Sequence, residues 1–112
     1  MREFLHVDDL ADASVFLLNL PEDVYSSLLA DSSAPALINV GSGQEVSIRD
    51  LALLIKDVVD FSGDLVLDAS KPDGTPRKLA DCARIHALGW RHAIGLREGI
   101  IDTYRWFQQN RL

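Results

Sequence analysis

Residues 36–59 read A-L-I-N-V-G-S-G-Q-E-V-S-I-R-D-L-A-L-L-I-K-D-V-V, and this stretch decides the fold class. Ala36 to Val40 is a short, mostly apolar run with β-branched residues, closed by Gly41-Ser42-Gly43, and it predicts a buried strand. Ser47 followed three residues later by Asp50 is a capping-box pattern that marks a helix start. Ile48, Leu51, Ala52, Ile55 and Val59 then keep one apolar face, with Arg49, Lys56 and Asp57 outside it. Ser62-Gly63 supplies the stop. A strand, a glycine turn and a helix in succession predict an α/β domain.

Upstream, Glu3 to Val7 reads as a short strand, and Asp8 and Asp9 offer N-cap and first-turn carboxylates to a helix. Leu10, Ala13, Leu17 and Leu20 give that helix an apolar face, and Pro21 marks its end. Glu22 to Pro35 is a polar connection with at most one helical turn around Tyr25 to Leu29. Downstream, Asp64 to Asp68 alternates as a strand, with Leu65 and Leu67 on one side and Val66 on the other. Residues 69–78 form a loop fixed by two prolines and a glycine. Asp81 caps a short helix that Gly89 terminates, and Leu96, Ile100, Thr103 and Phe107 place an amphipathic helix at the C-terminus. The expected order is β-α-β-α-β-loop-α-α, about three short strands and four helices in a single domain spanning 1–112. That is a thin core, and it predicts reliance on a partner.

Composition narrows the function. The chain has 112 residues, 47% hydrophobic and 25% charged, an ordinary globular balance. No apolar run is long enough to span a bilayer, and Glu3, Asp8 and Asp9 stand where a signal peptide would be basic and then apolar. The single cysteine, Cys82, suits a reducing compartment, so a cytoplasmic protein without membrane contact is expected. The net charge is −6, yet residues 71–112 carry eight basic side chains against four acidic ones. Overall acidity argues against nucleic-acid binding, and the basic segment suggests one local site for a small anion.

Gly41-Ser42-Gly43 is not a dinucleotide fingerprint, because Val46 occupies the position of the third glycine. His6, Asp8 and Asp9 do not form a metal set on a strand-to-helix junction; capping explains the aspartates and core-edge packing the histidine. Cys82, His86 and His92 are read as packed or solvated side chains. The loop K-P-D-G-T-P-R-K at Lys71 to Lys78 is different, since it combines rigid backbone with one carboxylate and three cations. Arg77 can bind a phosphate through two N–H groups, Lys78 adds a point charge, and Asp73 suits sugar hydroxyls. A solvated charged loop carries equal weight on these residues alone.

Two segments carry a resemblance. R-E-F-L-H-V-D-D-L-A at Arg2 to Ala11 resembles the opening of the substrate lobe in the extended short-chain dehydrogenases/reductases. K-P-D-G-T-P-R-K, with L-G-W and Y-R-W-F further on and I-N-V-G-S-G and S-I-R-D-L-A between, resembles the GDP-L-fucose synthase family, nucleotide-sugar epimerase/reductases. The similarity runs from Arg2 to about Asn110. It implies a small C-terminal substrate-binding lobe, normally joined to an NADP-binding Rossmann domain that this chain lacks. It also implies a GDP-sugar ligand, with Arg2 on the GDP part, Asp73 on sugar or ribose hydroxyls, and Arg77 and Lys78 as secondary contacts.

The family's cofactor loop, its Ser/Tyr/Lys reduction residues and its Cys/His epimerisation pair have no counterpart here. No catalytic, cofactor-binding or metal-binding residue is therefore expected; NADP(H) belongs to the intact family enzyme, and this chain is catalytically incomplete. Met1 stands directly before the R-E-F motif, so the chain reads as a separately expressed domain, a truncated gene or a frame called from an internal methionine. A lobe without its Rossmann partner is expected to form a homo-oligomer over the surface left bare. The alternatives are a stand-alone nucleotide-sugar binding module and a self-associating remnant without ligand. A lobe for UDP- or dTDP-sugars is disfavoured by the D-G-T-P-R-K loop.

Overall fold

A computed structural model of the chain describes residues 1–30, 35–72 and 74–110. The elements run β1 (Arg2–Glu3), α1 (Val7–Leu18), α2 (Glu22–Ala30), β2 (Glu45–Val46), α3 (Ile48–Val58), α4 (Ala83–Ala87) and α5 (Leu96–Gln109). β1 and β2 pair antiparallel, with Arg2 opposite Val46 and Glu3 opposite Glu45. An isolated parallel bridge sets Lys78 beside Arg2. Three segments far apart in sequence thus meet at one edge of the molecule.

The helices follow their local signals. Ser47 Oγ accepts the Asp50 N–H at 3.0 Å and donates to Asp50 Oδ2 at 2.6 Å, the capping expected from the sequence. The end of α3 differs from expectation. Asp60, not Ser62-Gly63, takes the left-handed conformation at φ 54°. The Phe61 N–H reaches Lys56 O and the Asp60 N–H reaches Asp57 O, which is a Schellman ending. α4 closes the same way: Gly89 sits at φ 102° and the Trp90 N–H reaches Ile85 O. That second ending brings Trp90 onto Ile85, and both are buried.

α1 is capped by His6, whose Nδ1 accepts the Asp8 N–H at 3.3 Å; Asp8 and Asp9 lie in the first turn. The N-cap is therefore two residues before Asp8, while the first-turn placement expected of the aspartates holds. Asp9 is buried, and its carboxylate accepts the N–H groups of Ala93 and Ile94 at 2.9 and 3.0 Å. Asp12 accepts the Trp90 indole N–H at 2.8 Å. One turn of α1 thus holds the segment leading into α5. Glu22–Ala30 forms a full helix where a polar connection was expected, because Pro21 O accepts the Tyr25 N–H and starts it.

The expected strands are the main correction. Among the described residues the two strands are two residues each, and five helices stand where four were expected. Among the described residues Ala36–Val40 and Asp64–Asp68 form no strand, and Glu3–Val7 leaves its ladder early because His6 already caps α1. The core is correspondingly small. Ala13, Cys82, Ile85 and Trp90 are buried, with Leu5, Phe16, Leu17, Ile38, Val40 and Ala80 packed against them. The radius of gyration is 17.8 Å, against about 13 Å for a compact chain of this length. Leu18, Val66 and Leu67 are 84%, 86% and 77% exposed.

Candidate functional site

The expected site residues Arg2, Arg77 and Lys78 come together at the β1–β2 edge. Arg2 and Lys78 are backbone neighbours through the parallel bridge, and Arg77 reaches across to Glu45 on β2. Asp73 lies outside the described residues.

The cations differ in how they are held. Arg2 turns its guanidinium onto backbone: Nη1 donates to Met1 O at 2.7 Å and to Thr75 O at 2.6 Å. In this arrangement Arg2 braces the 74–76 turn, which is a structural task beside the nucleotide contact expected of it. Arg77 is gripped side-on by Glu45. Its Nε donates to Oε1 at 2.7 Å and Oε2 at 2.9 Å, and its Nη2 lies 2.7 Å from Oε2. Hydrogen bonding from Arg77 holds the Glu45 carboxyl below the usual glutamate range, and the same contact raises Arg77. The Lys78 side chain is exposed and makes no hydrogen bond or ion pair to a described residue.

A carboxylate that no motif pointed to organises this edge. Glu3 Oε1 accepts the Gly43 N–H at 2.6 Å, and Oε2 accepts the Ala80 N–H at 2.9 Å. The Ser42 hydroxyl stands 3.5 Å from Oε1. Gly41 is buried beneath the carboxylate, and a Cβ there would fall 2.5 Å from Oε1. Glu3 therefore occupies the Gly41–Gly43 turn. Its oxygens take the N–H that a dinucleotide pyrophosphate would need and bring a like charge, so the turn does not fit NADP(H).

Other side chains fall elsewhere. His6 Nε2 lies 3.6 Å from Asp102 Oδ2, and Nδ1 lies 3.9 Å from Asp8 Oδ2. Asp102 arrives from α5, which spacing along the chain could not reveal. Both carboxylates are exposed, and Nδ1 already serves as the helix cap. Burial raises the Cys82 thiol, aided by the negative charges of Glu3 and Asp81, so Cys82 is a packed side chain and not a poised nucleophile. His86 and His92 are half-buried.

Two grooves lie apart from the cations. One of about 650 Å³ runs between α3 and α5, walled by Leu51, Ile55, Ile100 and Phe107. A second, about 430 Å³, lies between α1 and α2 beside Arg84. Neither is lined by Arg2, Arg77 or Lys78. Both are apolar and suit packing against another surface better than a charged ligand.

No protein-family model matches the chain. It is 51% identical over 112 residues to the GDP-L-fucose synthase of Escherichia coli (strain K12), covering 98% of this chain and 34% of that protein. The solved GDP-6-OMe-4-keto-L-xylo-heptose reductase from C. jejuni superposes with a TM-score of 0.86 at 42% identity, covering 98% of this chain and 31% of the other. A GDP-mannoheptose C4 reductase from Campylobacter jejuni, solved with NADP bound, gives 0.78 at 40% identity over 96% of this chain and 31% of that one. The chain spans about a third of the length of these relatives, and in the fucose synthases the matching part is C-terminal.

Proposed function

From its kinship with the C-terminal part of the GDP-L-fucose synthases, we propose that this chain is the nucleotide-sugar-binding lobe of a GDP-sugar epimerase/reductase. The single observation that carries the reading is the Arg2–Lys78 bridge. It sets the two motif-bearing segments, Arg2–Ala11 and Lys71–Lys78, side by side at one open edge. The ligand there is GDP-4-keto-6-deoxymannose or a close GDP-sugar. Lys78 and the outward end of Arg77 face its diphosphate, and Asp73 serves its hydroxyls. Arg2 reaches the nucleotide by exchanging a carbonyl partner for it.

The lobe supplies grip and orientation; the hydride and proton-transfer steps belong to the rest of the intact enzyme. NADP(H) supplies the hydride there, held by a Rossmann domain outside this chain. A second reading, that a second copy of the chain covers the bare apolar faces, is favoured by the two open grooves. Among the described residues no helix is long and apolar enough to cross a membrane.

The test is titration of the protein with GDP, UDP and GDP-mannose, followed by ¹H–¹⁵N NMR. Saturable, GDP-selective shifts at Arg2 and residues 74–78 are expected, and Arg2→Ala should abolish them. A folded sample that shows no shift with any nucleotide overturns the proposal.

A further inference from the structure

We propose that Glu45 is a positioning residue that fixes the Arg77 guanidinium with its phosphate-binding end turned outward. The inference rests on the nucleotide-sugar reading above and assigns one element of that site.

Arginine has five N–H groups arranged as a rigid fork, with a side edge (Nε and Nη2) and an end edge (Nη1 and Nη2). Glu45 takes the side edge, with both carboxylate oxygens within 2.9 Å of Nε and Oε2 within 2.7 Å of Nη2. No described residue accepts a hydrogen bond from Nη1. The end edge keeps the geometry that grips two phosphate oxygens at once. The burial is asymmetric in the same sense: the Glu45 side chain is 15% exposed and that of Arg77 66%. The carboxylate is the fixed post and the guanidinium the presented part.

Glu45 can serve as a post because its backbone is itself fixed. It sits on β2 opposite Glu3, whose carboxylate is tied to Gly43 and Ala80. Arg77 stands on a loop and would otherwise sample many rotamers, so fixing it in advance removes that ordering cost from ligand binding. The Glu45 charge opposes an anion, but it lies on the far edge of the guanidinium and is compensated by the Arg77 charge it holds. Pre-organisation therefore outweighs repulsion.

The experiment measures GDP affinity by calorimetry for the wild-type protein, Glu45→Gln, Arg77→Ala and the double variant. Glu45→Gln is expected to weaken binding roughly tenfold, the scale of the freedom an arginine side chain loses when fixed. The effect should vanish in the Arg77→Ala background. The Arg77 Nε–H resonance should be sharp in the wild type and lost in Glu45→Gln. Arg77→Lys, a change on an exposed loop that leaves the charge but removes the fork, should bind as weakly as Arg77→Ala. Tighter or unchanged binding in Glu45→Gln, an equal loss without Arg77, or wild-type affinity in Arg77→Lys each overturns the inference while leaving the nucleotide-sugar reading intact. A wild-type protein that does not bind GDP removes both.

Discussion

The Glu3 carboxylate accepts the Gly43 backbone N–H at 2.6 Å, joining two residues 40 positions apart. Together with the Ala80 N–H on its other oxygen, that contact holds the glycine turn and the end of the basic loop at one distance. Charge-assisted bonds of this kind contribute about 1.5–3 kcal/mol each when partly buried. Glu3→Ala leaves two N–H groups unpaired and is expected to lower stability by about 3 kcal/mol, read as a fall in the urea midpoint at unchanged m-value. A loss below 1 kcal/mol contradicts the role given to Glu3.

Asp60 holds a left-handed conformation that a side chain resists. Releasing it recovers about 1–2 kcal/mol, less for an aspartate than for a branched residue. Glycine gives back part of this through its freer unfolded chain, about 0.5–1 kcal/mol. Asp60→Gly is thus expected to stabilise the protein by about 0.5–1 kcal/mol. Thermal unfolding reads this as a higher Tm, and an unchanged or lower Tm refutes it.

The Glu45–Arg77 pair sets a pH response. The folded carboxyl is held below its unfolded value, chiefly by hydrogen bonding from Arg77. Its contribution is therefore complete above the ordinary glutamate range and disappears as pH falls through the lower folded value. A ¹³C titration of the Glu45 carboxyl should give a midpoint below the ordinary glutamate value, and Arg77→Ala should return it upward. Equal midpoints in the two proteins would contradict the pair.

Val7, Leu18, Val66, Leu67 and Trp106 are among the large apolar side chains left exposed, and the α3–α5 groove is open. An open apolar groove of this kind is expected to be covered in solution. Sedimentation velocity should show a weight-average mass that rises with concentration. A monomer throughout that range counts against self-association.

Four of the five helices were legible because their signals are local; α2 was not, since its stretch reads as a polar connection. A serine and an aspartate three apart start α3, and a four-residue apolar rhythm carries it to Val58. The strands were not, because a strand exists only beside another. Ala36–Val40 and Asp64–Asp68 have strand composition, but among the described residues neither joins the β1–β2 sheet. At the site, sequence pointed to Arg2, Asp73, Arg77 and Lys78, of which Asp73 lies outside the described residues. It could not point to Glu3 or Glu45, acidic residues whose meaning comes from the N–H groups and the guanidinium that folding brings to them.

The exposed apolar run Leu65-Val66-Leu67 bears on how the chain behaves in a crowded cell. Unpaired backbone beside β-branched and leucine side chains is a template for another strand, and copies of it stack. Asp64 and Asp68 bracket the run as charged gatekeepers. Hydrogen bonds from Ser70 hold the Asp68 carboxyl below the usual aspartate range. Two carboxylates thus flank the exposed apolar run, and neutralising either one is expected to shorten the lag before aggregation.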